Sequence, residues 1–213
     1  LGIFWAQKTL PNFWLGILGA MVQDFENKSY VIHTKHTQDI KSIFDFIFDG
    51  KTATLKKSSP IIKTLYFFVE ACEYKRHFLN LDLDYTIITS LELDHTDYYK
   101  NMDDYLDAFK TVVDRTRHTV IIPETLEFES KNTTWKIKKA EIKNINFAHI
   151  RWKYNNINGS LVVKLFKEIT GQDTCEIEDF KGLWRRMELL ITTDNGVKIY
   201  SDYGHMASSI ATW

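Results

Sequence analysis

The order of apolar and polar stretches along the chain predicts an α/β protein. From residue 65 onward, short apolar runs rich in β-branched residues alternate with segments whose apolar positions recur at helical spacing. Strands that alternate with helices are typical of βαβ units and of a mostly parallel sheet flanked by helices. In chain order, the predicted elements are a strand at 65–70, a short helix near 73–80, a strand at 85–90, a helix at 101–114 and a strand at 118–122.

Three later segments add to this pattern. Trp135–Ile150 alternates polar and apolar residues, which predicts an added antiparallel ribbon at the edge of the sheet. A helix is predicted over Asn156–Thr170, and Gly171 marks its end because glycine readily adopts the left-handed conformation of a helix terminus. Asp194–Gly196 separates two β-type runs, and its Asn-Gly pair favours the positive φ angles of a hairpin turn. We therefore predict a hairpin near 188–202.

The first 64 residues carry weaker patterns. Asn12–Val22 is largely apolar, and we predict a helix there with Asn12 as its N-cap. The other predicted elements of this part are a strand at Leu1–Phe4, a turn at Ala6–Thr9, a strand at Tyr30–His33, an amphipathic helix at Asp39–Phe48 and a loop at Gly50–Pro60.

Composition excludes several classes of protein. The chain has 213 residues, of which 44% are hydrophobic, enough for one substantial packed domain and too many for a disordered chain. Its 27 basic and 28 acidic residues leave a net charge of -1, which argues against a general nucleic-acid or membrane-surface binder. No apolar stretch approaches the ~20 residues that span a bilayer. Cys72 and Cys175 lack metal-type spacing, so we expect two free thiols in the reducing cytoplasm.

Acidic residues cluster where two of the predicted strands end. The stretch Ser90–Tyr99, with His95 among its carboxylates, directly follows the apolar run 85–89, and Glu70–Glu73 follows the run 65–69. Open α/β sheets bind their ligands at the carboxyl ends of their strands. If the two strands are neighbours, these side chains predict a site for a divalent cation and its phosphates.

Both acidic stretches resemble motifs of the Mur ligases, specifically the UDP-N-acetylmuramate–L-alanine ligase branch. Ser90–Asp97 is similar to the family's Asn-Ile-Glu-x-Asp-His-x-Asp, and the resemblance implies that His95 binds a second Mg²⁺. Glu70-Ala-Cys-Glu is similar to the family's Glu-Ala-Asp-Glu, whose first glutamate is a Mg²⁺ ligand, so Glu70 inherits that role. Cys72 stands where the family has aspartate.

Two later motifs imply contacts with ATP. Trp152–Asn158 is similar to Gly-x-His-Asn-x-x-Asn, in which the asparagines approach the adenine, so Asn155 and Asn158 inherit that contact. Taken on its residues alone, Asn155 is equally well explained as a helix cap. Phe180–Glu188 is similar to Phe-x-Gly-x-x-Arg-Arg-Phe-Glu, and the resemblance implies that Arg186 faces the ATP phosphates as a charge clamp.

The last motif lies near the end of the chain. Ser201–Ala207 is similar to the family's Asp-Asp-Tyr-Gly-His-His-Pro. The resemblance implies that Asp202 reaches the nucleotide ribose and that His205 lies at a domain junction. Met206 and Ala207 replace the motif's second histidine and its proline.

The phosphate-binding loop of the family is poorly matched. The family has Gly-Thr-His-Gly-Lys-Thr, and this chain has Phe4-Trp-Ala-Gln-Lys-Thr at the corresponding place. The resemblance gives Lys8 the task of neutralising phosphates and Thr9 that of holding Mg²⁺, although Lys8-Thr9 alone is also explained as a chance dipeptide. Bulky residues such as Trp5 and Gln7 would have to adopt conformations that glycine takes freely, at ~1–3 kcal/mol each. We therefore expect impaired ATP turnover.

The resemblance also implies a domain plan and a reaction. Residues 1–183 correspond to the central ATP-binding domain, with its P-loop-type sheet, and 184–213 to the start of the Rossmann-like C-terminal domain. We expect the UDP-binding domain to be missing from this chain and the chain to be a fragment of a longer protein. The implied reaction joins L-alanine to UDP-N-acetylmuramate through an acyl phosphate, with ATP and Mg²⁺ as cofactors and Lys8, Arg186 and His95 as catalytic residues.

Two other interpretations stay open at this point. The first is a catalytically impaired fragment or pseudoenzyme that keeps the nucleotide-binding fold. The second is another ligase with the same central domain, such as a murein-peptide ligase or a folylpolyglutamate synthase.

Overall fold

The structure is a computed structural model that describes residues 14–22, 28–33, 66–130, 134–150, 153–173, 177–183, 185–205 and 210–211. Four predicted elements lie outside these residues: the strand at 1–4, the turn at 6–9, the helix at 39–48 and the loop at 50–60. The chain divides into two compact units, Gly2–Glu70 and Ala71–Trp213, the second joined by Leu1. Each unit is described by itself.

The first unit contains a three-stranded sheet with the order β2-β1-β3. Its strands are β1 (Trp14–Val22), β2 (Lys28–His33) and β3 (Tyr66–Val69). The central strand, β1, pairs antiparallel with β2 and parallel with β3. The predicted strands at 30–33 and 65–70 are thereby confirmed.

The predicted helix over Asn12–Val22 is wrong, because Trp14–Val22 forms the strand β1. Sheet strands covered on both faces have continuous apolar sequences without alternation. Periodicity alone does not distinguish such a strand from a buried helix. Gly16 and Gly19 were a signal against a helix, since glycine is among the poorest helix formers. The predicted cap, Asn12, lies outside the described residues.

The second unit is built on a parallel sheet with the order β4-β5-β6. Its strands are β4 (Tyr85–Ile87), β5 (Thr119–Pro123) and β6 (Ile137–Ala140). The α-helices are α1 (Met102–Arg115) and α2 (Lys153–Thr170), and short 3-10 helices cover Tyr74–Asn80 and Thr134–Lys136. A separate antiparallel hairpin joins β7 (Glu188–Thr192) to β8 (Lys198–Ser201). The predicted mixed α/β fold is confirmed.

Side chains from opposite faces of β5 enter two separate apolar clusters. Val120 and Ile122 pack with residues of α1, including Val113, whereas Ile121 packs with Leu161 of α2 and with Ala140 of β6. Successive strand residues point to opposite faces of a sheet. The two helices therefore lie on opposite sides of the parallel sheet, in a three-layer arrangement.

Local signals fix the ends of the helices and of the hairpin turn. The Asn101 side chain caps α1 by accepting a hydrogen bond from the Asp104 amide at 2.9 Å. Gly171 ends α2 with φ +73°, and its amide donates to the Lys167 carbonyl. In the hairpin turn, Gly196 adopts φ +84°. The predicted helices at 101–114 and 156–170, the helix stop and the hairpin are confirmed.

The predicted antiparallel ribbon at 135–150 is wrong. Only Ile137–Ala140 forms a strand in this segment, and it pairs parallel with β5. The amides of Lys143 and Ile145 donate to the side chains of Ser160 and Asn156 on α2. Because these amides bond to a helix, they are not available to a ribbon partner.

The expectation that the strands at 65–70 and 85–90 are neighbours is also wrong. β3 pairs with β1, and β4 pairs with β5, in separate sheets. An apolar run predicts a strand without naming its partner, and consecutive strands are adjacent in only about two-thirds of cases. Among the described helices, none is both long enough and apolar enough to cross a membrane.

Candidate functional site

The loop that follows β4 holds His95 in a defined conformation. His95 has φ +54°, a left-handed conformation that is uncommon for a residue other than glycine. Its amide donates to the Asp94 carboxylate at 2.6 Å, and its carbonyl accepts hydrogen bonds from the amides of Tyr98 and Tyr99. The local hydrogen bonds therefore offset the cost of the unusual backbone angle.

Two carboxylates and the His95 imidazole come together at this loop. The His95 Nε2 lies 3.5 Å from the Glu73 Oε1. Ligand atoms of Glu73, Asp94 and His95 all lie within 4.8 Å of one another, and each side chain is partly exposed. The hydrogen bond from the His95 amide lowers the pKa of Asp94, an effect that outweighs the opposing burial. Asp94 is therefore a carboxylate at neutral pH.

Aromatic contacts join the 3-10 helix at 74–80 to the same loop. The Tyr74 ring lies 4.7 Å from the His95 ring, centroid to centroid, and its hydroxyl donates to Asp97 at 2.9 Å. The hydroxyl of Tyr99, which is almost completely buried, donates to the Glu73 carbonyl. The positions of Glu73 and His95 are thus set by side chains outside the pair itself.

The 3-10 helix itself is irregular. Lys75 and Arg76 have φ angles of +50° and +58°. The Arg76 guanidinium pairs with Asp104 at 2.7 Å and with Asp107 at 3.2 Å on α1. These ion pairs connect the strained turn to α1. The predicted short helix near 73–80 is confirmed, but it is an irregular 3-10 helix.

A second group of side chains influences the Tyr154 hydroxyl in the first turn of α2. Burial raises the pKa of Tyr154, the negative charge of Asp202 raises it further, and Arg186 and the Asn155 side chain act in the opposite direction. These influences require proximity. Asn155, Arg186 and Asp202, all predicted to contact nucleotide, are therefore gathered in one region, with Asn155 itself buried.

Asp202 also has a structural task that its sequence context did not predict. Its carboxylate accepts hydrogen bonds from the amides of Met187 at 2.7 Å and Gly204 at 2.5 Å. The guanidinium carbons of Arg185 and Arg186 lie 5.3 and 5.6 Å from the centre of the Tyr203 ring, within the range of cation–π attraction. Asp202 and Tyr203 thus hold the segment that carries Arg186.

The remaining predicted site residues are placed as follows. Lys8 and Thr9 lie outside the described residues. Glu70 is exposed at the end of β3, in the first unit, so its convergence with His95 stays a prediction. Asn158 is partly buried, one turn along α2 from Asn155. The exposed Cys72 carries a free thiol, and Cys175 lies outside the described residues.

Sequence reasoning missed Glu73, whose carboxylate lies 3.5 Å from the His95 imidazole. The signal was present in Glu70-Ala-Cys-Glu, which offers two glutamates. Choosing between them required the turn at Lys75 and Arg76, which has no sequence signature. It also missed Asn156, whose amide group bonds to Ile145 and Asn144 and anchors the loop after β6 to α2.

The sequence also matches a known protein family. The family described as the Mur ligase middle domain matches residues 50–177, more than half of the chain. The chain belongs to the Mur ligase family.

Individual relatives support the branch predicted from the motifs. A UDP-N-acetylmuramate–L-alanine ligase of Desulfitobacterium hafniense is 28% identical over 179 residues, which cover 68% of this chain and 40% of that protein. The enzyme of the same name from Lactobacillus gasseri is 46% identical over 66 residues, 31% of this chain and 15% of that protein. The predicted family and branch are confirmed. The match spans less than half the length of these Mur ligases.

A solved structure supports the fold. A murein peptide ligase from Psychrobacter arcticus superposes with a TM-score of 0.56 at 17% sequence identity, covering 99% of this chain and 50% of that one. At this level of identity, the likeness extends to the fold alone.

The donor set at Glu73, Asp94 and His95 fits the divalent cation that Mur ligases imply. Carboxylate oxygens are the ligands that Mg²⁺ prefers, and Mg²⁺ keeps several positions for water and phosphate oxygen. The three donor groups are partly exposed and lie near one another, which leaves room for such additional ligands. Within the described residues, Glu73, Asp94 and His95 are therefore a candidate cation site beside the loop that follows β4. The segment Phe4–Thr9 lies outside the described residues.

Proposed function

We propose that this chain is the nucleotide-handling part of an ATP-dependent ligase that joins L-alanine to UDP-N-acetylmuramate in peptidoglycan precursor synthesis. The observation that carries the proposal is the convergence of Glu73, Asp94 and His95 beside the loop that follows β4, in a chain of this family. A cytoplasmic location is part of the proposal. It is supported by the two cysteines, which lack metal-type spacing and which we expect to be free thiols in a reducing compartment.

The proposed reaction has two steps. The γ-phosphoryl group of ATP moves to a carboxylate oxygen of muramate, which gives an acyl phosphate and ADP. The alanine amine then attacks the acyl carbon; a C–N bond forms, the C–O bond to phosphate breaks, and inorganic phosphate and a proton are released. Phosphoryl transfer of this kind depends mainly on positioning and charge neutralisation.

The residues of this chain would supply both the positioning and the charge neutralisation. Glu73, Asp94 and His95 would hold a Mg²⁺ ion, which, when bound, neutralises phosphate charge. Arg186 would supply a fixed positive charge for the phosphates. Further contacts are proposed from the family motifs: Glu70 and Thr9 to metal, Lys8 to phosphate, Asn155 and Asn158 to adenine, and Asp202 to ribose.

Calorimetry of ATP binding with and without Mg²⁺ tests the proposal. Substituting His95→Ala together with Glu73→Gln should abolish the Mg²⁺-dependent part of binding, because two of three donors are lost. His118→Ala is the matched control, since His118 is an exposed histidine near a carboxylate, 3.8 Å from Asp84. Unchanged Mg-ATP binding in the double variant would refute the proposed cation site. A separate Glu70→Ala variant tests the metal-ligand role that the family motif gives to Glu70.

A second candidate function is a nucleotide-binding module that no longer ligates. It is favoured by the segment Phe4–Thr9, which lacks both glycines of the family's phosphate loop. Those glycines align with Phe4 and Gln7, whereas Trp5 aligns with the family's threonine. Restoring them with Phe4→Gly and Gln7→Gly should then raise ATP hydrolysis well above that of the original chain. Hydrolysis by the original chain at the same rate as the restored variant would exclude this second function.

A further inference from the structure

Asp94 contacts two segments that are far apart in the sequence. One carboxylate oxygen accepts the His95 amide at 2.6 Å, and the other lies 3.4 Å from the Nε2 of His205. Both partners occur in sequence motifs described above, yet nothing in those motifs pairs His205 with Asp94. The carboxylate therefore links the cation-site loop to the segment after the β7–β8 hairpin.

His205 is held on its other side by Tyr203. The Nδ1 atom of His205 lies 3.2 Å from the Tyr203 carbonyl, and the two rings meet edge to face at 5.6 Å. An imidazole that contacts a carboxylate on one side and a carbonyl on the other has a fixed orientation. Its position therefore depends on both Asp94 and Tyr203.

Tyr203 continues the connection to Arg186. Its amide donates to the Arg185 carbonyl at 2.9 Å, and its ring lies beneath both guanidinium groups. A contiguous series of contacts thus runs from His95 through Asp94, His205 and Tyr203 to Arg186.

We propose that His205 is a positioning residue, which holds the segment carrying Arg186 in register with the loop carrying His95. The inference rests on the proposed function, because its purpose is to fix a phosphate-neutralising charge relative to a cation site before substrate binds. Asp94 and His205 are both partly exposed, and an exposed pair of this kind contributes little to overall stability. We therefore expect His205 to affect ligand binding and not overall stability.

The first test compares Mg-ATP affinity in five variants: His205→Ala, His205→Gln, His118→Ala, Arg186→Ala and the double variant of Arg186→Ala with His205→Ala. His205→Ala should weaken binding about fivefold, the lower end of measured coupling between sites, without changing the melting temperature. His205→Gln should recover most of the loss, since its amide can still donate to Asp94. His118→Ala should have no effect. In an Arg186→Ala background, His205→Ala should have almost no further effect, because His205 acts through Arg186.

Two results would overturn the inference. One is a His205→Ala effect that is undiminished in the Arg186→Ala background. The other is unchanged affinity in His205→Ala when Arg186→Ala itself weakens binding.

The second test needs no nucleotide and therefore separates this inference from the proposed function. Backbone amide resonances of the nucleotide-free protein are compared between the original chain and His205→Ala. Shifts at both 94–97 and 185–187 are expected, whereas shifts confined to 203–206 would refute the connection. If Mg-ATP does not bind at all, the proposed function fails, and this measurement alone decides the inference.

Discussion

Two regions of the second unit place the same types of apolar residue in opposite environments. In the three-layer region, Val113, Val120, Ile121 and Ile122 are completely buried between helix and strand. In the β7–β8 hairpin, six large apolar residues are each about half exposed: Leu189, Leu190, Ile191, Val197, Ile199 and Tyr200. Hydrophobic stabilisation scales with the area removed from water, so the three-layer region stabilises this unit and the hairpin contributes much less.

The largest expected effect comes from emptying the three-layer core. Ile121→Ala should lower the free energy of unfolding by ~2–5 kcal/mol, because it removes a fully buried side chain and leaves a cavity. Ile191→Ala is the matched control: the same substitution in the hairpin, where the side chain is 54% exposed, should change stability by less than ~0.5 kcal/mol. Denaturant titration of both variants measures the difference. Equal losses would show that the two regions are equally packed.

The next effect tests the close approach of α2 to the loop after β6. A Cβ atom at Gly159 would collide with the Cδ1 of Ile145 and lie 3.1 Å from atoms of Phe147 and Ile177. Gly159→Ala should therefore destabilise the protein by ~1–3 kcal/mol through overpacking.

A compensating change sharpens this prediction. Ile145→Val removes the Cδ1 atom that collides, so the double variant should recover much of the stability lost in Gly159→Ala. Thermal melts of the single and double variants provide the measurement. Additive losses in the double variant would show that the contact with Ile145 is not the source of the loss, because helix propensity and chain entropy both favour Ala over Gly inside a helix.

A smaller effect depends on pH. The pKa of Asp94 is lowered in the folded protein, first by the hydrogen bond from the His95 amide. Stability from such a group is present above its unfolded pKa of about 3.9 and is lost as pH falls through the folded value. Asp94→Asn should therefore be less stable than the original chain at pH 7, by under ~1 kcal/mol for a partly exposed group.

The difference should shrink as the pH falls from about 4, the unfolded pKa, through the lowered pKa of the folded carboxylate, which then becomes protonated. Urea titrations at pH 7 and pH 3 measure both values. A difference that is the same at the two pH values would show that the Asn variant acts through packing and not through charge.

The smallest effect on global stability is expected at the hairpin turn. Gly196 has φ +84°, and a Cβ atom added there would meet no other atom within 4 Å, so Gly196→Ala strains the turn without any collision. Because the hairpin contributes little to the core, hydrogen exchange should quicken at amides of β7 and β8 and stay unchanged in β5. Faster exchange in β5 would show that hairpin and core unfold together.

Local signals in the sequence were sufficient for part of the fold. The helical spacing of apolar residues over 101–114 predicted α1, and Asn195-Gly196 marked the hairpin turn. Each feature depends on residues within a few positions of one another. The motifs likewise indicated the family, because they preserve residue types at fixed short spacings.

Partner choice could not be predicted from local signals. The apolar sequence of β1 suits a helix or a central strand, and only its pairing with β2 and β3 decides between them. In the same way, the contact between Asp94 and His205 depends on how distant segments pack. The selection of Glu73 beside His95 depends on a left-handed turn at Lys75 and Arg76, and the residue types at these positions do not predict such a turn.

The alternation of β5 between two helices has a consequence for changes in chain length. Inserting or deleting one residue within Thr119–Pro123 would exchange the side chains directed to α1 and α2, so Ile121 would face the wrong layer. Such a change would disturb both clusters at once. In related chains, we expect length variation to concentrate in the irregular stretch at 141–150, while this five-residue strand keeps its length.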